Sequence, residues 1–152
     1  METSFRSAIY KLLLVLITII LYIACTKGKD VIDISGEASG AQVVPSPIVS
    51  AASANVSGVY NDESRMFSYR VSWDNLNDTV TRINFRGPAD RGTLAPVLFE
   101  VFIPAKRDSG SVAGFAVLRD TTGSHLASGR IYFLVATRAY PDGELRGQLM
   151  SQ

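Results

Sequence analysis

The sequence "RMFSYRVSW" (residues 65–73) alternates large apolar side chains with small or polar ones. The alternation puts two sets on opposite faces of an extended chain: Phe67, Tyr69, Val71 and Trp73 on one, and Ser68, Arg70 and Ser72 on the other. A period of two is typical of a β-strand that buries one face. The pattern therefore predicts a half-buried strand whose aromatic residues, Trp73 included, belong to the core.

The segment before this strand has the same pattern. In "SANVSGVY" (53–60) the small or apolar residues share one face, and these are Ala54, Val56, Gly58 and Tyr60. The link "NDES" (61–64) consists of residues that favour turns. Two alternating runs joined by such a link predict an antiparallel hairpin.

Shorter runs of this kind recur along the rest of the chain, at residues 81–86, 97–103, 112–118, 131–136 and 143–149. Segments rich in Gly, Pro and Asp separate them, such as "GPADRG" (87–92) and "YPDG" (140–143). The run 131–136 is apolar on both faces, which predicts a central strand. About seven or eight short strands at this spacing predict an all-β fold, an antiparallel Greek-key β-sandwich.

The sequence gives little support for a catalytic site. No segment after residue 30 keeps a helical period, and no Gly-rich loop precedes one, so a Rossmann or P-loop site is not predicted. His125, the sole histidine, lies in "TTGSHLASG" (121–129), whose composition predicts a solvated loop. A single imidazole and no Gly-x-Ser-x-Gly motif argue against a hydrolase.

Composition excludes further classes of function and of stabilising site. The chain has 15 Lys+Arg and 14 Asp+Glu, so it lacks the positive excess that is typical of nucleic-acid-binding proteins. Cys25 is the only cysteine in 152 residues. A lone cysteine excludes an intramolecular disulfide and a cysteine-based zinc site.

The N-terminal segment predicts export. Arg6 and Lys11 precede an apolar run from Leu12 to Ala24 that is interrupted only by Thr18. As a helix this run spans about 20 Å, too short for a hydrocarbon core of about 30 Å, and it fits a signal peptide better.

The end of this run resembles a lipobox, the cleavage and acylation site of bacterial lipoproteins, with Leu21, Ile23, Ala24 and Cys25 in the expected places and Tyr22 as a departure. We therefore expect a signal peptide at 1–24, a lipidated Cys25, a polar tether at 25–33 and a folded domain at 34–152. An uncleaved signal anchor is the alternative. In both cases the domain lies outside the cytoplasmic membrane, and the expected location is the bacterial cell envelope, with the membrane as a partner.

Three segments in the body resemble the chordin-type, or CHRD, domain family. "SGAQVVPSP" (39–47) resembles its opening motif, although Val43 replaces an acidic residue. "INFRGPA" (83–89) is similar to the central His-x-His-Gly-Pro-Ala motif, and "AYPDGELRGQL" (139–149) to the family's ending. The resemblance implies an immunoglobulin-like sandwich with limited similarity to copper/zinc superoxide dismutase. It implies no established enzymatic activity.

The departures from the family concern metal binding. Where the family tends to have histidines, this chain has Asn84, Arg86 and Ala136. A copper or zinc centre needs several lone-pair donors, and an always-protonated guanidinium offers none. We therefore expect neither a metal nor another cofactor, and a dismutase-like metal-dependent enzyme remains only as a disfavoured alternative.

The same residues support a different hypothesis. Arg82, Asn84 and Arg86 alternate with apolar residues and share one face of a predicted strand, where they could contact an anion or a glycan. Glu144 and Arg146 are expected to join an ion-pair network with Arg82 or Arg86. The sequence thus predicts a non-catalytic, lipid-anchored binding or structural module whose ligand is an envelope protein or a glycan.

Overall fold

The computed structural model describes residues 31–152, so the predicted signal peptide, Cys25 and residues 26–30 lie outside it. Within the described range, nine strands and one α-helix follow one another along the chain. Their bounds are β1 Val31–Ala38, β2 Ser53–Asn61, β3 Met66–Asp74, β4 Val80–Arg86, β5 Val97–Glu100, β6 Gly110–Val117, α1 Asp120–Ala127, β7 Tyr132–Thr137, β8 Leu145–Gln148 and β9 Met150–Ser151.

The strands form two antiparallel sheets, one in the order β6-β3-β2-β1-β9 and the other in the order β5-β4-β7-β8. The predicted all-β sandwich is confirmed. The chain leaves the first sheet after β3, forms β4 and β5 in the second, and returns to place β6 beside β3. This return past two strands is of the Greek-key type.

The predicted hairpin lies at the centre of the first sheet. Strands β2 and β3 are paired over their full lengths, with Tyr60 opposite Phe67 and Ala54 opposite Trp73. The β3 residues predicted to face inward are all buried, and Val71 has no exposed surface. Alternation in the sequence thus identified both the pairing and the buried face.

The second sheet supplies the other half of the core. β7 lies between β4 and β8, and its six residues are all buried, as expected for a central strand. From β4, the Phe85 ring stacks on Phe99 with their centroids 4.7 Å apart and meets Tyr69 of the first sheet at 5.0 Å. Such aromatic pairs join the two layers beyond the effect of area burial alone.

Strand β1 was not predicted. It pairs with β2 from Val31 to Ala38, so the residues 31–33 that the sequence analysis assigned to the tether are hydrogen-bonded in the sheet. Its sequence "VIDISGEA" does alternate, since Asp33, Ser35 and Glu37 share the outer face and the buried Ile34, Gly36 and Ala38 share the inner one, so a signal for this strand was present and was overlooked. The two-residue β9 then pairs with the other side of β1 and closes that edge.

The segment around His125 is a helix, and the prediction of a loop was wrong. Helix α1 has the sequence "DTTGSHLA", in which Thr, Gly and Ser have low helix propensity. Its stability comes from packing, since Gly123 and Leu126 are buried and a Cβ atom on Gly123 would collide with the Tyr60 hydroxyl. Within residues 31–152 no helix has the length and apolarity that crossing a membrane requires.

Candidate functional site

The three site residues predicted on β4 lie on the outer face of the second sheet. Across the strand pair, Arg82 is opposite Ala136, Asn84 is opposite Leu134 and Arg86 is opposite Tyr132. Asn84 is 1% exposed, whereas the two arginines are half-buried. The alternating residues Ile83 and Phe85 face the core and are fully buried, so the predicted division of β4 into two faces is correct.

A third arginine joins this face from β8. Arg146 lies opposite Leu134, two strands away from Asn84 and in the same row. It is 2% exposed, and its Cζ atom lies 3.8 Å from the centre of the Tyr132 ring, a cation–π contact. We call Arg82, Asn84, Arg86 and Arg146 together the arginine face.

The loop between β4 and β5 covers part of the arginine face. Arg146 Nη2 donates a hydrogen bond of 2.7 Å to the carbonyl oxygen of Thr93, and the Ala95 backbone N–H donates to the Tyr132 hydroxyl at 3.1 Å. Gln148 Nε2 donates to the Ala89 carbonyl at 3.0 Å. These bonds fix the loop over β7 and β8 and remove Arg146 from water.

The predicted ion-pair network is wrong. Among residues 31–152 the salt bridges are Arg65–Asp120 and Arg130–Asp90, both at exposed positions and neither involving an arginine of this face. Glu144 is fully buried, and its carboxyl oxygens accept hydrogen bonds from Ser50, Asn77 and Thr137 instead. The three arginines of this face therefore have no carboxylate partner in the described part of the chain.

Four buried polar atoms on the arginine face have no hydrogen-bond partner in the described structure: Arg82 Nε, Asn84 Oδ1, Arg86 Nε and Arg146 Nη1. They make up the whole set of such side-chain atoms found within residues 31–152. Unpaired buried polar groups are rare in folded proteins because each one costs the free energy of its lost hydration. Their concentration on one face makes it the candidate binding site of the domain.

Repulsion between positive charges adds to the cost of burying Arg146. Burial lowers the pKa of the Arg146 guanidinium, and the nearby positive charge of Arg86 lowers it further, while Tyr132 acts in the opposite direction. The side chain remains a cation at neutral pH because an arginine pKa starts so high. An anion held between Arg86 and Arg146 would relieve both the repulsion and the loss of hydration.

Two of the three arginines line pockets, and these pockets are separate. One has a volume of about 330 Å³ and is lined by polar groups of Gln42, Arg91, Arg146 and Gln148 together with Ala41, Val44 and Gly92. The other has a volume of about 420 Å³ and includes Arg82, Glu100 and Lys106. Arg146 and Arg82 thus line different pockets, and Arg86 lines neither of these two.

The arginine face does not fit a metal ion. Within the described residues, no group of three or more His, Cys, Asp or Glu side chains could hold one. Asn84 and Arg86 stand where the family resemblance implies histidines, and Arg86 has no lone pair to donate. His125 lies on α1, half-buried.

Sequence reasoning missed the part that Arg146 plays in this site. A signal was present, because Leu145 and Leu149 alternate with Arg146 and Gln148 and so assign the two polar residues to the outer face. The register between β7 and β8, which places Arg146 in line with Asn84, is a long-range feature that the local pattern does not contain.

The fold and this face together define a class, an all-β sandwich module whose second sheet carries guanidinium groups with buried, unpaired N–H donors. The sequence profile of the CHRD domain matches residues 34–149, which is more than half of the 152-residue chain. The chain belongs to the CHRD domain family, as its three motifs indicated. No curated protein and no solved structure matches it significantly.

Proposed function

We propose that this protein is a non-catalytic binding module of the bacterial cell envelope, anchored through lipidated Cys25, and that its arginine face binds an anionic glycan. Membership of the CHRD family supports the role of a binding or structural module. The apolar leader ending at Cys25 supports the envelope location.

The main support for an anionic ligand comes from the unpaired guanidinium N–H groups of Arg82, Arg86 and Arg146. Guanidinium donors match the geometry of carboxylate and phosphate oxygens and form the stronger, charge-assisted hydrogen bonds. No carboxylate of residues 31–152 forms an ion pair with them. An anion from outside the domain therefore suits this face better than a neutral sugar.

The shape of the face favours carboxylated sugars over an aromatic stacking mode of recognition. Trp73 and Tyr69 are buried in the core and offer no platform for a sugar ring. The pocket beside Arg146 is also lined by Gln42 and Gln148. Their amide nitrogens donate within the domain, and their amide oxygens suit hydroxyl groups flanking a carboxylate. A short polyuronate has both kinds of group.

The test measures binding of an oligogalacturonate to the full chain by calorimetry. Arg86→Ala is expected to weaken binding about 10- to 100-fold, because it removes one charge-assisted contact of about 1.5–3 kcal/mol. Arg70→Ala is the matched control: it removes the same charge from the outer face of the other sheet and should leave the affinity unchanged. Neutral dextran should bind to neither protein.

Added salt should weaken the interaction, since exposed charges are screened. Equal affinities of wild type, Arg86→Ala and Arg70→Ala would remove the arginine face as the binding site. An oligogalacturonate that binds no better than dextran would remove the anionic ligand class.

A further inference from the structure

The outer face of the first sheet is divided into an apolar half and a polar half. Cross-strand partners share a face, so the register defines rows running across β6, β3, β2 and β1. The first two rows are Val117–Met66–Asn61–Val31 and Phe115–Ser68–Val59–Asp33. The next two are polar or small: Ala113–Arg70–Ser57–Ser35 and Ser111–Ser72–Asn55–Glu37.

The large residues of the first two rows are open to solvent. Phe115 is 70% exposed, Val117 68%, Met66 and Val59 39% each, and Val31 37%. We call these five residues the apolar half. Contiguous exposed apolar side chains on a folded protein are typical of an interaction surface, whereas single ones are ordinary.

The position of the apolar half in the chain identifies its partner. Val31 belongs to it and is the residue at which the chain arrives from the N-terminal segment. Only five residues, 26–30, separate Val31 from Cys25, and six residue steps span at most about 20 Å. A chain anchored at Cys25 therefore holds the apolar half within reach of the lipid surface.

We propose that the apolar half of the first sheet docks on the lipid bilayer, an inference that rests on the membrane anchoring proposed above. The anchor raises the effective concentration of this surface beside the membrane, so that weak apolar contacts suffice for docking. With its first sheet against lipid, the protein turns the arginine face, on the outer side of the other sheet, away from the membrane.

Two features limit the depth of docking. β6 is an edge strand of its sheet, and unpaired backbone groups are not tolerated in hydrocarbon. Asp33, on the same face, is exposed and carries a charge. The side chains of Phe115 and Val117 therefore reach into the interfacial region while the backbone stays among the head groups, as for amphipathic elements that lie on a membrane.

Fluorescence quenching tests the proposal on the full, membrane-anchored chain in phosphatidylcholine vesicles brominated on the acyl chains. Phe115→Trp introduces a reporter in the apolar half, and Ser111→Trp introduces one on the same face of the same strand in the polar half. Wild type provides the background from Trp73, which is buried. The emission added by Phe115→Trp should fall at least twofold relative to unbrominated vesicles, and that added by Ser111→Trp should not change.

The other outcomes contradict the proposal. Equal quenching at the two positions would mean that the face is not divided, and no quenching at either would mean that it does not touch lipid. Unquenched, blue-shifted emission at position 115 that grows with protein density would identify a second copy as the partner. Alkaline carbonate extraction is performed first: a chain that washes off the membrane refutes the anchoring itself, whereas an anchored chain without quenching refutes the docking alone.

Discussion

Glu144 shows how a single buried residue holds several loops of this sandwich together. Its Oε1 atom accepts hydrogen bonds from the Ser50 hydroxyl at 2.8 Å, the Asn77 backbone N–H at 3.0 Å and the Asn77 side-chain amide at 2.8 Å. Its Oε2 atom accepts one from the Thr137 hydroxyl at 2.9 Å. The side chain thereby joins the segments that precede β2 and β4 to the last residue of β7.

We expect Glu144→Ala to destabilise the fold by about 2–3 kcal/mol, because it leaves the buried Thr137 hydroxyl without its acceptor and removes the part-buried hydrogen bonds from Ser50 and Asn77. Glu144→Gln should cost only about 1 kcal/mol. Its amide oxygen can keep the bonds to Ser50 and Asn77, and its NH₂ group can donate to the Thr137 hydroxyl. Urea denaturation measures both values. Equal losses in the two variants would mean that the negative charge, rather than the hydrogen bonds, matters here.

For the arginine face, the local sequence pattern predicted which residues share the outer side of β4. Alternation in "TRINFR" assigned Arg82, Asn84 and Arg86 to one face, and the structure puts them there. The expected ion pair between this face and Glu144 does not form, because the Glu144 oxygens already accept hydrogen bonds from Ser50, Asn77 and Thr137. That choice depends on Ser50 and Asn77, which are distant in the sequence, so no local pattern could predict it.

At the scale of the elements, helix α1 shows where propensity and packing disagree. Its sequence has Gly123 and Ser124 in the middle, and intrinsic preference alone predicts no helix. The Ser124 hydroxyl bonds the Asp120 carbonyl, and Leu126 is fully buried against the core. Tertiary contacts therefore form this helix, which is why sequence alternation identified most of the strands but not α1.

The substitution Gly123→Ala tests whether helix propensity or tertiary packing dominates in α1. Helix propensity alone favours alanine by about 1 kcal/mol, but the added methyl group would collide with the buried Tyr60 hydroxyl, and overpacking costs about 1–3 kcal/mol. We expect net destabilisation, measured by thermal or urea unfolding.

Ser124→Ala, one residue further and exposed, is the control, because it raises helix propensity without a collision and should stay within about 0.5 kcal/mol of wild type. A more stable Gly123→Ala variant would show that α1 moves away from Tyr60 at little cost.

At the scale of the whole molecule, the two sheets have different outer faces, and this difference connects the fold with the proposed function. The first sheet carries apolar residues at the end where the chain enters, and the second carries the arginine face. In a sandwich these faces lie on opposite sides, so one domain can rest on a membrane and present cationic groups away from it. The sequence predicted both sheets but not this division, because the division depends on the register between strands.

The anchoring itself is tested by Cys25→Ser expressed in a bacterium. Wild type should yield a mature chain that begins at Cys25 and carries lipid on the cysteine sulfur, whereas the variant should accumulate as the full 152-residue precursor, because the hydroxyl cannot form the thioether. Intact-protein mass spectrometry measures both species, and Thr26→Ser, a comparably small change at the next residue, should be processed like wild type. Retention of residues 1–24 without lipid in wild type, as in the variant, would identify an uncleaved signal anchor. That result would leave the docking of the apolar half in place, since Val31 stays equally close to the membrane.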